Sequence, residues 1–391
     1  MKIGIYISGL AQSFGGDSVE KYAERLKDEM SFNTTGINYE VKIEKISYRK
    51  TQESTVVNIV EATEEQKCLY KIYEFKYKEI LTEKFISYPI IVKNLLLFVL
   101  VIQKLPLLIT RLFKPASYNR PLQTLYVFLI FFIIASAIIF MIPATLGVIT
   151  NFFENPKVVE LIGETNQELL QNIAKTMVSV AAVLLLVIPQ ANVLITNLAT
   201  EFVCANNYMQ HGAQRQLILG NLDHLVEFIS ENEKDCKIHF HAYSFGSVVA
   251  IDYLYPYGLT PSKNAELYCE AIITIGTPVE FIKSYYPNFY QNRKGGLWEK
   301  IHWLNIYSIA DALATNFRKD AKAGDAEFGI EGVSQIPVNI NYEVAPLNNK
   351  GIIDFIMLYS IKVHSMYWDQ KPEGQSCLKL IYKEMNQKEL V

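Results

Sequence analysis

A chain of 391 residues has room for one large α/β domain and an insertion, and 50% hydrophobic residues are many for a wholly soluble enzyme. The formal net charge of −3, with no basic stripe interleaved with aromatics, gives no electrostatic reason to expect nucleic acid as a partner. Five scattered cysteines without a C-x-x-C pair give neither a disulfide framework nor a zinc site, and reduced thiols fit a cytoplasmic face.

Residues 3–9, IGIYISG, read as a short apolar strand followed by a polar turn with Gly15 and Gly16. This stretch is short, has one lysine near it and is needed as a strand, so a cleavable signal peptide is not expected. A helical pattern runs from Ser18 to about Met30, capped by Asp17 or Ser18, with Lys21 and Arg25 outward. Tyr39 to Tyr48 alternates and reads as the second strand. Glu64 to Glu83, charged and rich in tyrosine, reads as a helix leading toward a membrane.

Three apolar runs follow. Leu122 to Phe153 contains no charged residue, and Thr176 to Thr200 contains none either, with Pro189 and Gln190 near its middle. A spanning helix needs roughly 20 apolar residues, and both runs meet that length; buried core helices, the alternative, are seldom so long and unbroken. The run Asn94 to Phe113 is interrupted by Lys104 and Pro106 and flanked by Lys93, Arg111 and Lys114. It reads as an interfacial or re-entrant helix. Gln214 to Ile229 then places Leu217, Leu219, Leu222, Leu225, Val226 and Ile229 at helical spacing, an amphipathic helix ahead of the next strand.

Residues 239–250, HFHAYSFGSVVA, carry the chemistry. An apolar strand run from Cys236 to Phe240 meets a sharp turn at Ser244, and a helix-like segment, Ser247 to Tyr253, follows. Ala242 and Gly246 flank the serine two residues away on each side. Small-x-Ser-x-small is the pattern of a nucleophile elbow, because bulk at either small position clashes where strand and helix meet. Taken alone, it also describes an ordinary strand–turn–helix. Three later segments bear on the choice. AIITIGTPVEF, Ala271 to Phe281, is a buried strand ending in a Gly-Thr-Pro turn. IHWLNIYSIADAL, Ile301 to Leu313, is an apolar β-like run leading to Asp311. IKVHSMYW, Ile361 to Trp368, carries His364. Between them, Pro337 to Val344 alternates as a last strand, and Gly351 to Tyr359 is an apolar helix or loop.

Over about the last 160 residues these segments resemble the lipase and serine-esterase branch of the α/β-hydrolase fold. In that branch a strand ending in Gly-(Ser/Thr)-Pro follows the nucleophile strand. W-x-N-x-Y-S-x-x-D comes next, matched by Trp303, Asn305, Tyr307, Ser308 and Asp311, and then H-x-x-Y-W, matched by His364, Tyr367 and Trp368. The resemblance implies a mostly parallel sheet with helices on both faces, Ser244 as nucleophile, His364 as base and Asp311 as the acid that orients it. It implies an oxyanion hole of the Phe245 and Leu10 backbone N–H groups, although Ser8 stands where related hydrolases carry histidine. No metal or organic cofactor is expected. Rival acids are Asp252, in the helix after the elbow, and Asp354, near His364. His241 either lines the site or is a hydrogen-bonded structural histidine; His239 and His302 read as structural, and His211 and His224 lack metal-ligand spacing.

Topology follows from the same assignments. The first strand and the Ser244 strand must share a sheet, so the chain crosses the membrane an even number of times between them. Spans near 123–147 and 176–199 satisfy this. The loop between them carries Glu154, Glu160, Glu164 and Glu168 against Lys157 and Lys175, whereas the approach carries Arg111, Lys114 and Arg120. The positive-inside rule then puts the catalytic domain in the cytoplasm. The expected organisation is an N-terminal half-domain over 1–90, a membrane insertion over 91–200 and a C-terminal half-domain over 201–391. The expected activity is that of a two-pass, membrane-anchored lipase or phospholipase acting on acyl esters. A thioesterase or deacylase of acylated proteins or acyl-CoA, and a non-catalytic membrane interaction module, are the alternatives. Two bare spans leave homo-oligomerisation open.

Overall fold

A computed structural model of the chain describes residues 1–10, 18–34, 36–50, 52–113, 202–210, 212–258, 260–293, 301–343, 363–364, 366–367 and 377–391. The expected spans near 123–147 and 176–199 lie outside these residues, as do Asp17, His211, Asp354 and Trp368.

An eight-stranded, mostly parallel sheet organises the described residues. Its strands are β1 (Lys2–Ile7), β2 (Tyr39–Arg49), β3 (Gln52–Glu61), β4 (Cys68–Glu74), β5 (Lys237–Tyr243), β6 (Cys269–Ile275), β7 (His302–Tyr307) and β8 (Val338–Asn341). They lie in the order β2-β3-β4-β1-β5-β6-β7-β8. From β4 to β8 every neighbouring pair is parallel, and β2 and β3 form an antiparallel edge. Because β4 and β5 flank β1 on opposite sides, the succession of strands reverses there, and in open parallel sheets the carboxyl ends of the strands at such a point are where ligands bind.

Side chains alternate across each strand, so one strand feeds two cores. Ile3, Ile5 and Ile7 of β1, with Ile238, Phe240 and Ala242 of β5, enter one apolar cluster. That cluster also holds buried residues of α4 (Gly212–Asn232) and α5 (Phe245–Leu254). Tyr6 and Tyr243 enter the opposite cluster with residues of α1 (Val19–Asn33) and α8 (Cys377–Gln387). Helices thus cover both faces, the arrangement that a near-continuously apolar parallel sheet requires. Ser18 caps α1 by accepting a hydrogen bond from the Lys21 N–H (3.2 Å). Lys21 points outward, but Arg25 does not: it is half-buried on α1, close enough to Cys377 of α8 to act on its thiol.

One segment departs from expectation. Residues 64–83 are not a helix throughout: β4 occupies Cys68–Glu74, and α2 begins only at Tyr77 and runs to Ile86. Tyr70 and Ile72 enter the α1-side core, and Tyr73 and Phe75 the other. That is a period of two, and the partners that make it a strand, β1 and β3, are distant in sequence or hidden in the unassigned β-branched run 52–61. In α4, Leu217 lies exposed, while Leu222, Leu225, Val226 and Ile229 are buried as expected.

Helix α3 spans Ile90–Phe113, with Pro106 inside it. Leu97 and Leu100 are buried in the domain core, whereas Val92, Val99 and Ile109 are exposed. The Lys104 ammonium ties α3 to the domain, donating to the Tyr285 carbonyl (3.1 Å) and lying 3.6 Å from the centroid of the Tyr286 ring. Tyr285 ends α7 (Val279–Tyr285), which follows the Gly-Thr-Pro turn; the short α6 (Lys263–Tyr268) precedes β6. Among the described residues, no helix is long and apolar enough to cross a membrane.

Candidate active site

The turn between β5 and α5 forces Ser244 to φ 52° and ψ −122°, a conformation that costs a non-glycine residue about 1–3 kcal/mol. The surrounding backbone holds it there. The Ser244 N–H donates to the Ile275 carbonyl (2.8 Å), which extends the β5–β6 ladder into the turn. The Ser247 hydroxyl donates to the Ala242 carbonyl (2.7 Å), stapling the helix back onto the strand. A Cβ on Gly246 would sit 2.2 Å from the Ile7 carbonyl oxygen, so α5 starts in contact with the end of β1 and no side chain fits between them. The small residue after the serine is therefore a requirement of strand–helix packing. Ser244 makes no side-chain cap to α5, which leaves its hydroxyl for another partner.

That partner is His364. The structure brings Ser244, His364 and Asp311 together from three separate segments. The Ser244 Oγ lies 2.7 Å from His364 Nε2, and His364 Nδ1 lies 2.8 Å from Asp311 Oδ2. Asp311 is fully buried in the loop after β7, and its other oxygen accepts the Leu313 N–H (2.8 Å). A carboxylate at Nδ1 holds the imidazole as its Nδ1–H tautomer and turns the Nε2 lone pair toward the serine hydroxyl. Hydroxyl, imidazole and carboxylate in hydrogen-bonded series are the parts of an activated nucleophile.

Two tyrosines and a glycine enclose this series. Tyr243, one residue before the serine, stacks on the His364 imidazole (centroids 5.4 Å apart, planes 23° apart) and donates its hydroxyl to the His364 carbonyl. Tyr367 donates to Asp311 Oδ2 (2.8 Å) and accepts from the Ser308 N–H (3.0 Å). Burial first, and the nearby Asp311 charge second, push the Tyr367 phenol far above its usual range, so it remains a donor. Gly276 has φ 58°, and a Cβ there would lie 3.0–3.3 Å from atoms of Tyr367 and His364. The glycine of the Gly-Thr-Pro turn makes the space in which the imidazole sits. Glu343, just past β8, accepts from the Ser308 hydroxyl (3.0 Å) and the Ile309 N–H (2.7 Å), anchoring the acid loop.

Phe245, expected to be an oxyanion donor, is the first residue of α5, where helical N–H groups have no intrahelical acceptor. Leu10 is buried in the same apolar cluster, and the preceding Gly9 would place a Cβ 3.0 Å from the Ser244 Cβ. The Phe245 ring stacks on Tyr77 of α2 (6.2 Å) and meets Tyr208 edge-on (5.5 Å). Helix α2 and the segment 202–210 thus both pack against the elbow at Phe245.

The rival acid among the described residues, Asp252, has other partners. Asp252 accepts from Tyr208 (2.9 Å), Arg215 (2.5 Å) and the fully buried Arg293, and serves as their shared counter-ion. His241 is fully buried between the hydroxyls of Tyr22 (2.5 Å) and Tyr70 (2.8 Å). Burial pushes its imidazole well below the usual range, and both ring nitrogens are taken by those two tyrosines, as in a hydrogen-bonded structural histidine. His239 bridges Tyr70 and Glu270 at 2.9 Å each. His224 is exposed beside Glu227. Among the described residues, no group of three or more His, Cys, Asp or Glu could hold a metal ion.

No protein-family model matches the chain, and no curated protein or solved structure matches it either. Sequence reasoning missed the roles of Tyr243, Gly276, Tyr367 and Glu343. Gly276 and Tyr367 stood within the Gly-Thr-Pro and H-x-x-Y-W patterns; nothing in the sequence around Glu343 marks it.

Proposed function

We propose that the protein is a serine hydrolase of α/β-hydrolase type that cleaves acyl esters at a membrane surface through an acyl-enzyme on Ser244. The observation that carries this is the hydrogen-bonded series Ser244–His364–Asp311, set at a strained elbow where the strand succession reverses.

In this mechanism His364 Nε2 takes the Ser244 proton as Oγ attacks the carbonyl carbon. Asp311 balances the imidazolium. The N–H groups of Phe245 and Leu10 hold the tetrahedral oxyanion. The imidazolium then protonates the departing alcohol. Water, deprotonated by His364, attacks the acyl-enzyme and releases the acid, with its proton returning to Ser244 Oγ.

The membrane half of the proposal rests on the uncharged runs 122–153 and 176–200 and on the exposed apolar residues of α3. Tyr77 and Tyr208, which flank the insertion in sequence, both pack on Phe245; membrane helices between them would hold the serine near lipid headgroups and favour lipase-like or phospholipase-like substrates. The charge bias of the flanking segments favours a cytoplasmic catalytic domain.

The test is labelling of detergent-solubilised protein by a fluorophosphonate. Wild type should be labelled, and Ser244→Ala and His364→Ala should not. A folded wild type that stays unlabelled both in detergent and with liposomes would refute the proposal and favour a non-catalytic module. Extraction of native membranes at alkaline pH tests the anchor: release of the protein into the supernatant would refute the two-pass arrangement.

A further inference from the structure

We propose that Tyr367 is a positioning residue of the triad, whose hydroxyl tunes Asp311 and thereby sets how strongly His364 holds its proton. This rests on the serine-hydrolase proposal above and adds a residue to it.

The geometry that carries the inference is a shared oxygen. Asp311 Oδ2 accepts from His364 Nδ1 and from the Tyr367 hydroxyl, each at 2.8 Å. The two donors compete for one atom's electron density. The direction of the hydroxyl is fixed as well. Its oxygen accepts the Ser308 N–H at 3.0 Å, so the phenolic proton is left to point at Asp311. Ser308 is in turn held by Glu343, so the loop that supplies this N–H is pinned to the end of β8. Tyr367 is fully buried, packed edge-on to the His364 ring (6.4 Å) and to Tyr243 (6.3 Å). In such surroundings a hydrogen bond to a carboxylate is strong and an unpaired hydroxyl is costly.

A consequence with a definite sign follows. A donor on Oδ2 spreads the carboxylate charge and weakens its hold on the imidazolium. Removing that donor makes Asp311 a stronger acceptor, stabilises the protonated imidazole and raises the pH at which His364 becomes a free base. It also leaves the carboxylate less firmly aimed. Tyr243 provides the contrast, because its hydroxyl goes to the main-chain carbonyl of His364 and not to Asp311.

The experiment is the pH dependence of the second-order rate of fluorophosphonate labelling, for wild type, Tyr367→Phe and Tyr243→Phe in the same detergent. For Tyr367→Phe the expected result is a plateau about tenfold lower and an acid limb displaced upward by roughly 0.5–1 pH unit. For Tyr243→Phe it is a lower plateau with the acid limb where wild type has it. An undisplaced acid limb in Tyr367→Phe, at any plateau, overturns the inference and leaves Tyr367 as a packing residue. If Tyr367→Phe does not give a cooperative melt, Tyr367→3-fluorotyrosine keeps the shape and strengthens the donor, so its acid limb must move downward; no movement overturns the inference equally. A folded wild type that is labelled neither in detergent nor with liposomes removes the hydrolase proposal itself, whereas a labelled wild type with an unchanged Tyr367→Phe profile removes only this one.

Discussion

Gly276→Ala tests the proposed site at the point where backbone conformation and the Ser244–His364–Asp311 geometry meet. Gly276 has φ 58°, and a left-handed conformation costs a residue with a Cβ about 1–2 kcal/mol. The added methyl would lie 3.0 Å from Tyr367 Cε2, 3.1 Å from His364 Cε1 and 3.3 Å from His364 Nδ1. Carbon atoms in contact rest about 3.5–4.0 Å apart, so the imidazole must retreat by a few tenths of an ångström. It has little room to do so, with Tyr243 stacked on it, Asp311 at 2.8 Å and Ser244 at 2.7 Å. Misplacement by about 1 Å can cost about a hundredfold in rate, so a smaller shift should slow fluorophosphonate labelling by about tenfold. Stability should fall by about 1–2 kcal/mol, measured by chemical denaturation. Gly220→Ala is the matched control. It lies exposed in α4 with open space around its Cα, so alanine should stabilise the helix by about 0.5–1 kcal/mol and leave labelling unchanged. Gly276→Ala labelled within about twofold of wild type would refute the argument, because the imidazole would then not sit against residue 276.

The other predictions concern stability. Ser244→Gly should be more stable than Ser244→Ala by about 1 kcal/mol, since glycine relieves the strain of φ 52° at a smaller entropic cost; equal denaturation midpoints would mean the elbow is unstrained. Asp252→Asn should destabilise the fold by about 3–5 kcal/mol, because Arg293 is left buried without its counter-ion, while the labelling rate of folded protein stays at the wild-type value. Slower labelling there would give Asp252 a part in the chemistry. Burial pushes the imidazoles of His239 and His241 below their usual value, so the unfolded chain binds more protons than the folded one below about pH 6.5. Stability should therefore decline on acidification from pH 7 to 5. Glu270, held near 2 by His239 and then Lys2, adds a further loss only at lower pH, below the usual carboxylate range. A thermal midpoint that is flat or rising between pH 7 and 5 would contradict the burial of the two histidines.

Much of the site was legible because its parts are local signals. Ala242, Ser244 and Gly246 announce a tight strand–helix turn within five positions, although the contacts with Ile275 and Ile7 that hold its strain come from distant strands. The approximate spans of β1, α1, β2, α4, β5, β6 and β8 likewise followed from period and capping. Asp311 and His364 could be named from pattern, but not placed. Their meeting with Ser244 depends on β5, β6 and β7 lying side by side in parallel, which sets the loops after those strands at one edge of the sheet. Only the tertiary structure decided β4, because a tyrosine-rich charged run becomes a strand when β1 and β3 supply its hydrogen bonds. It alone decided Tyr243, Tyr367 and Glu343 as partners of His364, Asp311 and the loop that carries Asp311, since each bonds to a residue at least 35 positions away in the chain. Local stereochemistry is written residue by residue; the approach of distant side chains is set by packing, which no short window of sequence contains.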